Sequence, residues 1–256
     1  MYQDNMSLGE HINVMRSAII KIVIATLVCS LVAFYMKEQL FGIVFAPNDN
    51  MFITYRLLNR LSRMVTPDGL QTFSVNLVNT GLAQQFAVHM KVSAYAGVLA
   101  ASPYTIYLLV SFIAPALYDN EKRYIFPIVA SGYTMFIAGM FLNYLLIFPF
   151  TFRFLGTYQV NSSVSNMITL SSYVDTMMMM TILLGVIFEL PVVCWLLGKL
   201  GFLSTSIMRR YRRHAIVVTF IIAAIITPTS DVFTLTIVAI PILLLYEASA
   251  LLVPKR

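Results

Sequence analysis

Six stretches of this chain, near residues 17–36, 87–117, 124–150, 173–198, 214–227 and 232–252, are almost wholly apolar. Hydrocarbon offers no hydrogen-bond partners, so each stretch must pair its own backbone N–H and C=O groups, and each is expected to be a helix. The first four are long enough to cross about 30 Å of hydrocarbon at about 1.5 Å per residue. The last two differ: the uninterrupted apolar run Ala215–Ile226 covers only about 18–20 Å. Either that pair is re-entrant or the bilayer thins around it. The chain is 59% hydrophobic and 11% charged, against roughly 25% charged in soluble domains. The expected fold is therefore an all-α integral membrane protein of six transmembrane helices, helices five and six short, forming a single domain over residues 1–256.

The basic residues set the orientation. Eleven of the seventeen Lys and Arg, from Arg16 and Lys21 through Lys122 and Arg123 to Lys255 and Arg256, fall on one side. Five (Lys37, Arg56, Arg60, Arg63 and Arg153) fall on the other. Both termini are thus expected in the cytoplasm. The bases cluster beside apolar runs, so the net charge of +6 does not point to nucleic acid. No cleavable signal peptide is expected, because the first apolar run lacks a short h-region followed by a small-residue cleavage site. Cys29 and Cys194 both lie inside apolar runs and give no disulfide framework. In the long external segment, Ile53, Leu57, Leu58, Leu61 and Met64 recur at helical spacing, with Arg56, Arg60 and Arg63 on another face. An amphipathic helix over 51–65 is expected there, lying on the outer leaflet or capping the bundle.

Enzyme signatures are missing: there is no HExxH, GxSxG, P-loop or metal-spaced Cys/His group. Neither an enzyme, a metal nor a cofactor is expected. Three features carry more chemistry. Glu121 sits with Lys122 and Arg123 in the short connection after the second apolar run; it is either an interfacial anchor paired to those bases or a docking carboxylate for a basic partner. Glu189, in Phe188-Glu189-Leu190-Pro191, costs roughly 2.5–3.5 kcal/mol near a bilayer centre, so it should face a polar cavity or be protonated. Pro191 frees a backbone carbonyl nearby, which a wet cavity would satisfy. Asp231, in the turn between the last two helices, is placed to cap the final one.

The order of these elements resembles the TatC family, the multispanning receptor subunit of the twin-arginine translocase. The resemblance runs through His11…Arg16, Ala46-Pro47, Phe112-Ile113-Ala114-Pro115-Ala116-Leu117-Tyr118…Glu121-Lys122-Arg123 and Gly139…Tyr144…Phe148-Pro149. It continues through Phe188-Glu189-Leu190-Pro191, Thr227-Pro228 with Asp231-Val232-Phe233, and Ala239-Ile240-Pro241…Tyr246-Glu247. It implies a cup-shaped six-helix protein that binds twin-arginine signal peptides at its cytoplasmic face. Such a protein works with small single-span subunits of the TatA/TatB type, as a homo-oligomer within the complex. The complex passes folded proteins across the bacterial inner membrane, or an organellar one, using the proton-motive force. By that resemblance Glu121 contacts the arginine pair, Phe112 and Leu117 are the apolar residues beside it, and Arg16 is the basic residue of the N-terminal segment. Lys122 and Arg123 flank the same loop. Pro47, Glu189 and Asp231 match the proline after helix one, the intramembrane acid and the acid near the last external turn.

Two departures stand out. The family usually has a glutamate two residues before the N-terminal arginine, where this chain has Val14. Glu10, one helical turn earlier, is expected to substitute for it. Leu235 stands where many members carry glutamine. The alternative reading is a proton- or ion-coupled small-solute transporter with Glu189 as its relay, which would need a midplane site built from broken helices.

Overall fold

The computed structural model describes residues 8–63, 73, 75–113, 125–161, 166–227 and 231–254. Its contacts divide into two units, one of residues 1–37 and 90–134 and the other of 38–89 and 135–256.

In the first unit, α1 (Leu8–Tyr35) and most of α4 (Gln84–Ile113) are joined by the start of α5 (Ile125–Leu142). The two long helices touch where α4 is smallest. Ser93, Gly97 and Ala101 recur every fourth residue and are all buried, the spacing that lets backbones approach in lipid. A Cβ on Gly97 would lie 2.7 Å from the Ser30 backbone nitrogen, so no larger residue fits that crossing. Pro103 lies inside α4 and has no N–H to give the Leu99 carbonyl. Ser102 Oγ donates to that carbonyl at 2.7 Å instead, which keeps the helix continuous where no water can help. The surface of α1 stays apolar and exposed, as at Leu27, Leu31 and Val32, because its solvent is lipid.

The second unit begins with α2 (Lys37–Phe45), a 3-10 turn (Ala46–Asn48) and α3 (Ile53–Ser62). A π-turn (Asn143–Ile147) joins α5 to α6 (Phe148–Thr157), and α7 (Leu170–Phe188) follows. A helix end leaves its last carbonyls without intrahelical partners. Three tyrosines supply them here: Tyr144 donates to Ile43 O at 2.9 Å, Tyr173 to Val44 O at 2.8 Å and Tyr55 to Pro47 O at 3.0 Å. Pro47 is buried at the centre of this arrangement. Pro149 repeats the problem at the π-turn, and the hydroxyl of Thr54 donates to the Leu145 carbonyl that Pro149 leaves free. Tyr55, Phe73, Phe148, Phe152 and Tyr173 pack edge to face around these bonds, with Phe152 and Tyr173 centroids 4.9 Å apart. Arg153 lies 5.4 Å over the Phe73 ring and 5.9 Å over that of Tyr55.

The expected amphipathic helix forms as α3, but its buried face is not the apolar stripe. Thr54 and Tyr55 are buried, whereas Ile53 and Leu57 are more than half exposed. The helix packs through side chains that donate hydrogen bonds, while Ile53 and Leu57 of its aliphatic stripe stay exposed. A two-residue parallel pairing, β1 (Leu77–Val78) with β2 (Ile168–Thr169), adds to the helical pattern; two residues are too few to show periodicity in sequence.

The chain closes with α8 (Leu190–Lys199), α9 (Thr205–Arg210), α10 (Arg212–Ile226) and α11 (Val232–Leu252). Among the described residues, five helical runs are long and apolar enough to cross a membrane, including Phe126–Thr157, Leu170–Lys199 and Val232–Leu252. α10 has 15 residues, about 22 Å, and is short as expected. α11 departs from the expected pair of short helices: its 21 residues take up the whole apolar stretch, and it continues through Pro241.

Candidate functional site

The N-terminal candidates lie on α1. Glu10 and Val14 both fall within its helical span, so one turn separates them; Val14 and Arg16 are exposed. Phe112 lies in the last turn of α4 and is half-buried. Arg16 lies about 21 Å before Ser30 along α1, and Phe112 about 22 Å beyond Gly97 along α4. Glu121, Leu117, Lys122 and Arg123 lie outside the described residues.

Glu189 stands at the break between α7 and α8, with φ −70° and ψ −13°. Its own N–H donates to the Val186 carbonyl at 3.1 Å, while Pro191 has no N–H to give that of Ile187. The carboxyl oxygen Oε1 is buried and without a hydrogen-bond partner among the described residues. A bare carboxyl oxygen in an apolar surrounding is costly enough to demand a proton or a partner.

The break is held on its α5 side by close packing. A Cβ on Gly139 would come within 2.7 Å of the Leu184 carbonyl and 2.8 Å of the Phe188 ring. One turn further along the same pair of elements lies a polar group that sequence reasoning missed. Asn143, fully buried, donates from Nδ2 to Thr181 Oγ1 at 2.8 Å, and Thr181 donates onward to Met177 O at 2.7 Å. Asn143 Oδ1 has no partner among the described residues. The signal was available: an amide inside an apolar run is as informative as the acid at Glu189. Asp231 caps α11 as expected, accepting from Thr234 N–H at 2.7 Å.

These helices, their breaks and their order can be compared with known proteins. A sequence model of the family described as "Sec-independent protein translocase protein (TatC)" matches residues 10–241. The chain belongs to the TatC family. The TatC protein of Blattabacterium sp. subsp. Periplaneta americana is 31% identical over 252 residues, covering 96% of this chain and 94% of the relative. That of Aquifex aeolicus is 30% identical over 248 residues, with 96% and 94% covered. A solved structure titled "Crystal Structure of Twin Arginine Translocase Receptor- TatC" superposes with a TM-score of 0.75 at 30% identity, covering 95% of this chain and 97% of that one. A second, of the same receptor in DDM, gives 0.77 at 29% identity, with 96% and 100% covered.

The chain is accordingly an integral membrane component of the twin-arginine translocase, a transport family rather than a catalytic one. The solute-transporter alternative is not favoured by any of these likenesses. The TatC match takes in every candidate residue named from sequence, from Glu10 to Asp231.

Proposed function

We propose that this TatC chain is the receptor subunit that binds twin-arginine signal peptides at the cytoplasmic face. In this reading it nucleates, with single-span subunits of the TatA/TatB type and further copies of itself, the complex that exports folded proteins on the proton-motive force. Its place is the bacterial inner membrane. The observation that carries the proposal is the family match over residues 10–241, a span that includes the loop carboxylate and nearly all of the N-terminal helix.

The chemistry fits the assignment. Glu121 is the acceptor: a guanidinium presents a planar donor fork that a carboxylate takes bidentately, and lysine cannot reproduce it. Such a charge-assisted bond contributes about 1.5–3 kcal/mol. One carboxylate cannot hold two arginines. Glu10 supplies the second, one turn before Val14 on α1 and in the first turn of that helix, where an acid also suits the dipole. Phe112 and Leu117 offer the apolar contact for the segment that follows the arginine pair, and Arg16, Lys122 and Arg123 orient the acids. Glu189 meets a polar residue of a single-span partner helix, because its oxygen Oε1, without a partner among the described residues, gains a hydrogen bond there.

The test is photocross-linking in membranes with a probe at Leu117 and a signal peptide carrying Arg-Arg or Lys-Lys. Labelling is expected with Arg-Arg alone and is expected to vanish with Glu121→Ala. Equal labelling of both peptides would reduce Glu121 to an interfacial anchor. Glu10→Gln is expected to weaken the same labelling; unchanged labelling would return the second arginine to another acceptor. Disulfide scanning along α7 and α8 is expected to join the Glu189 region to the partner helix.

A further inference from the structure

Four arginines fall within five residues, Arg209 and Arg210 ending α9 and Arg212 and Arg213 opening α10, and all are exposed. A charged membrane face requires only that bases be present; it does not require them to converge. Here two of them do. Arg209 and Arg212 line a groove of about 360 Å³ whose other walls are Met208, Tyr246, Glu247, Ala250 and Leu251.

The groove is braced from within. Tyr246 donates its hydroxyl to Met208 O at 2.7 Å, tying α11 to α9. Arg212 Nε donates to Glu247 Oε1 at 2.5 Å, which fixes the guanidinium and leaves its terminal amino groups available to a ligand. Glu247 balances one arginine. Among the described residues Arg209, Arg210 and Arg213 have no ion pair, so the site retains an excess of positive charge. Its apolar wall runs onto Leu251, which is 79% exposed at the end of the membrane-length helix α11. A cationic mouth at the end of a lipid-facing helix matches a molecule with an anionic head and a long apolar tail.

We propose that this groove binds one anionic glycerophospholipid, its phosphodiester held between Arg209 and Arg212 and an acyl chain lying along the Leu251 edge of α11. Basic pockets between transmembrane helices bind such headgroups, each base near the surface contributing about 1 kcal/mol. The attachment seats this end of the α9–α11 unit against lipid and is independent of signal-peptide recognition.

Native mass spectrometry of the purified chain, titrated with phosphatidylglycerol or with phosphatidylcholine of the same acyl chains, tests it. Retention of phosphatidylglycerol is expected to exceed that of phosphatidylcholine, and Arg209→Gln or Arg212→Gln is expected to lower it about five-fold each. Arg209→Gln leaves the Arg212–Glu247 pair intact, so its loss of lipid at an unchanged melting temperature excludes misfolding. Arg56→Gln, on α3, is expected to change nothing. Equal retention of both lipids, or retention unaffected by Arg209→Gln and Arg212→Gln, would overturn the proposal. So would complete displacement by glycerol phosphate, which would mark a site for soluble phosphate rather than lipid.

Discussion

Tyr55 joins more of the packing around α3 than any charged residue near it. Its hydroxyl lies 3.0 Å from both the Pro47 and the Pro149 carbonyls, and its ring meets Phe73 at 5.0 Å. Burial pushes its pKa well above the ordinary 10, while the Arg153 guanidinium pulls it partly back. The folded state thus holds the phenolic proton more tightly than the unfolded chain does. Stability owed to this group is fully present below pH 10 and falls as the pH rises beyond it. Thermal unfolding in detergent is expected to show a decline above pH 10 that Tyr55→Phe removes. At neutral pH the same substitution is expected to cost about 1–3 kcal/mol, since two buried carbonyls lose a donor. A Tyr55→Phe protein as stable as the parent would mean that water already serves those carbonyls.

Among the elements, the crossing of α1 with α4 and the seam between α5 and α7 are both set by glycines whose missing Cβ lets backbone meet backbone. Gly97→Leu is expected to separate α1 from α4 and cost at least the about 1–3 kcal/mol of an overpacked core; a cysteine pair across Ser30 and Gly97, read by disulfide formation, checks the spacing. Such crossings show in sequence only as small residues at i, i+4. The helices themselves were readable, because an apolar run in lipid has no alternative to helix. Which face each one buries was not readable. Leu57 and Tyr55 are both apolar enough for lipid or protein, and the hydrophobic pattern cannot distinguish two apolar surroundings. What decided the packing of α3 was the demand of proline-freed carbonyls for donors, which Thr54 and Tyr55 meet. The same logic hid Asn143 and Thr181, whose pairing spans 38 residues.

For the whole molecule, α10 is about 22 Å long beside an α11 of about 31 Å. A bilayer of uniform thickness cannot suit both, and mismatch costs fractions of a kcal/mol per Å. Reconstitution into lipids of increasing acyl length is expected to lower the melting temperature steadily beyond the thickness of a thin bilayer. A flat response would mean that α10 tilts or re-enters without straining the lipid. Membrane residence and the long apolar helices were legible because each rests on local composition. The pairing of distant groups was not, and it has a consequence in time. Ile43 waits for Tyr144, 101 residues later, and Val44 waits for Tyr173, 129 residues later. At a synthesis rate of about 5–20 residues per second, the end of α2 stands for roughly 6–26 s with bare carbonyls after it leaves the ribosome. During that interval the newborn chain relies on water, or on a helper that shields it, until its fourth long helix arrives.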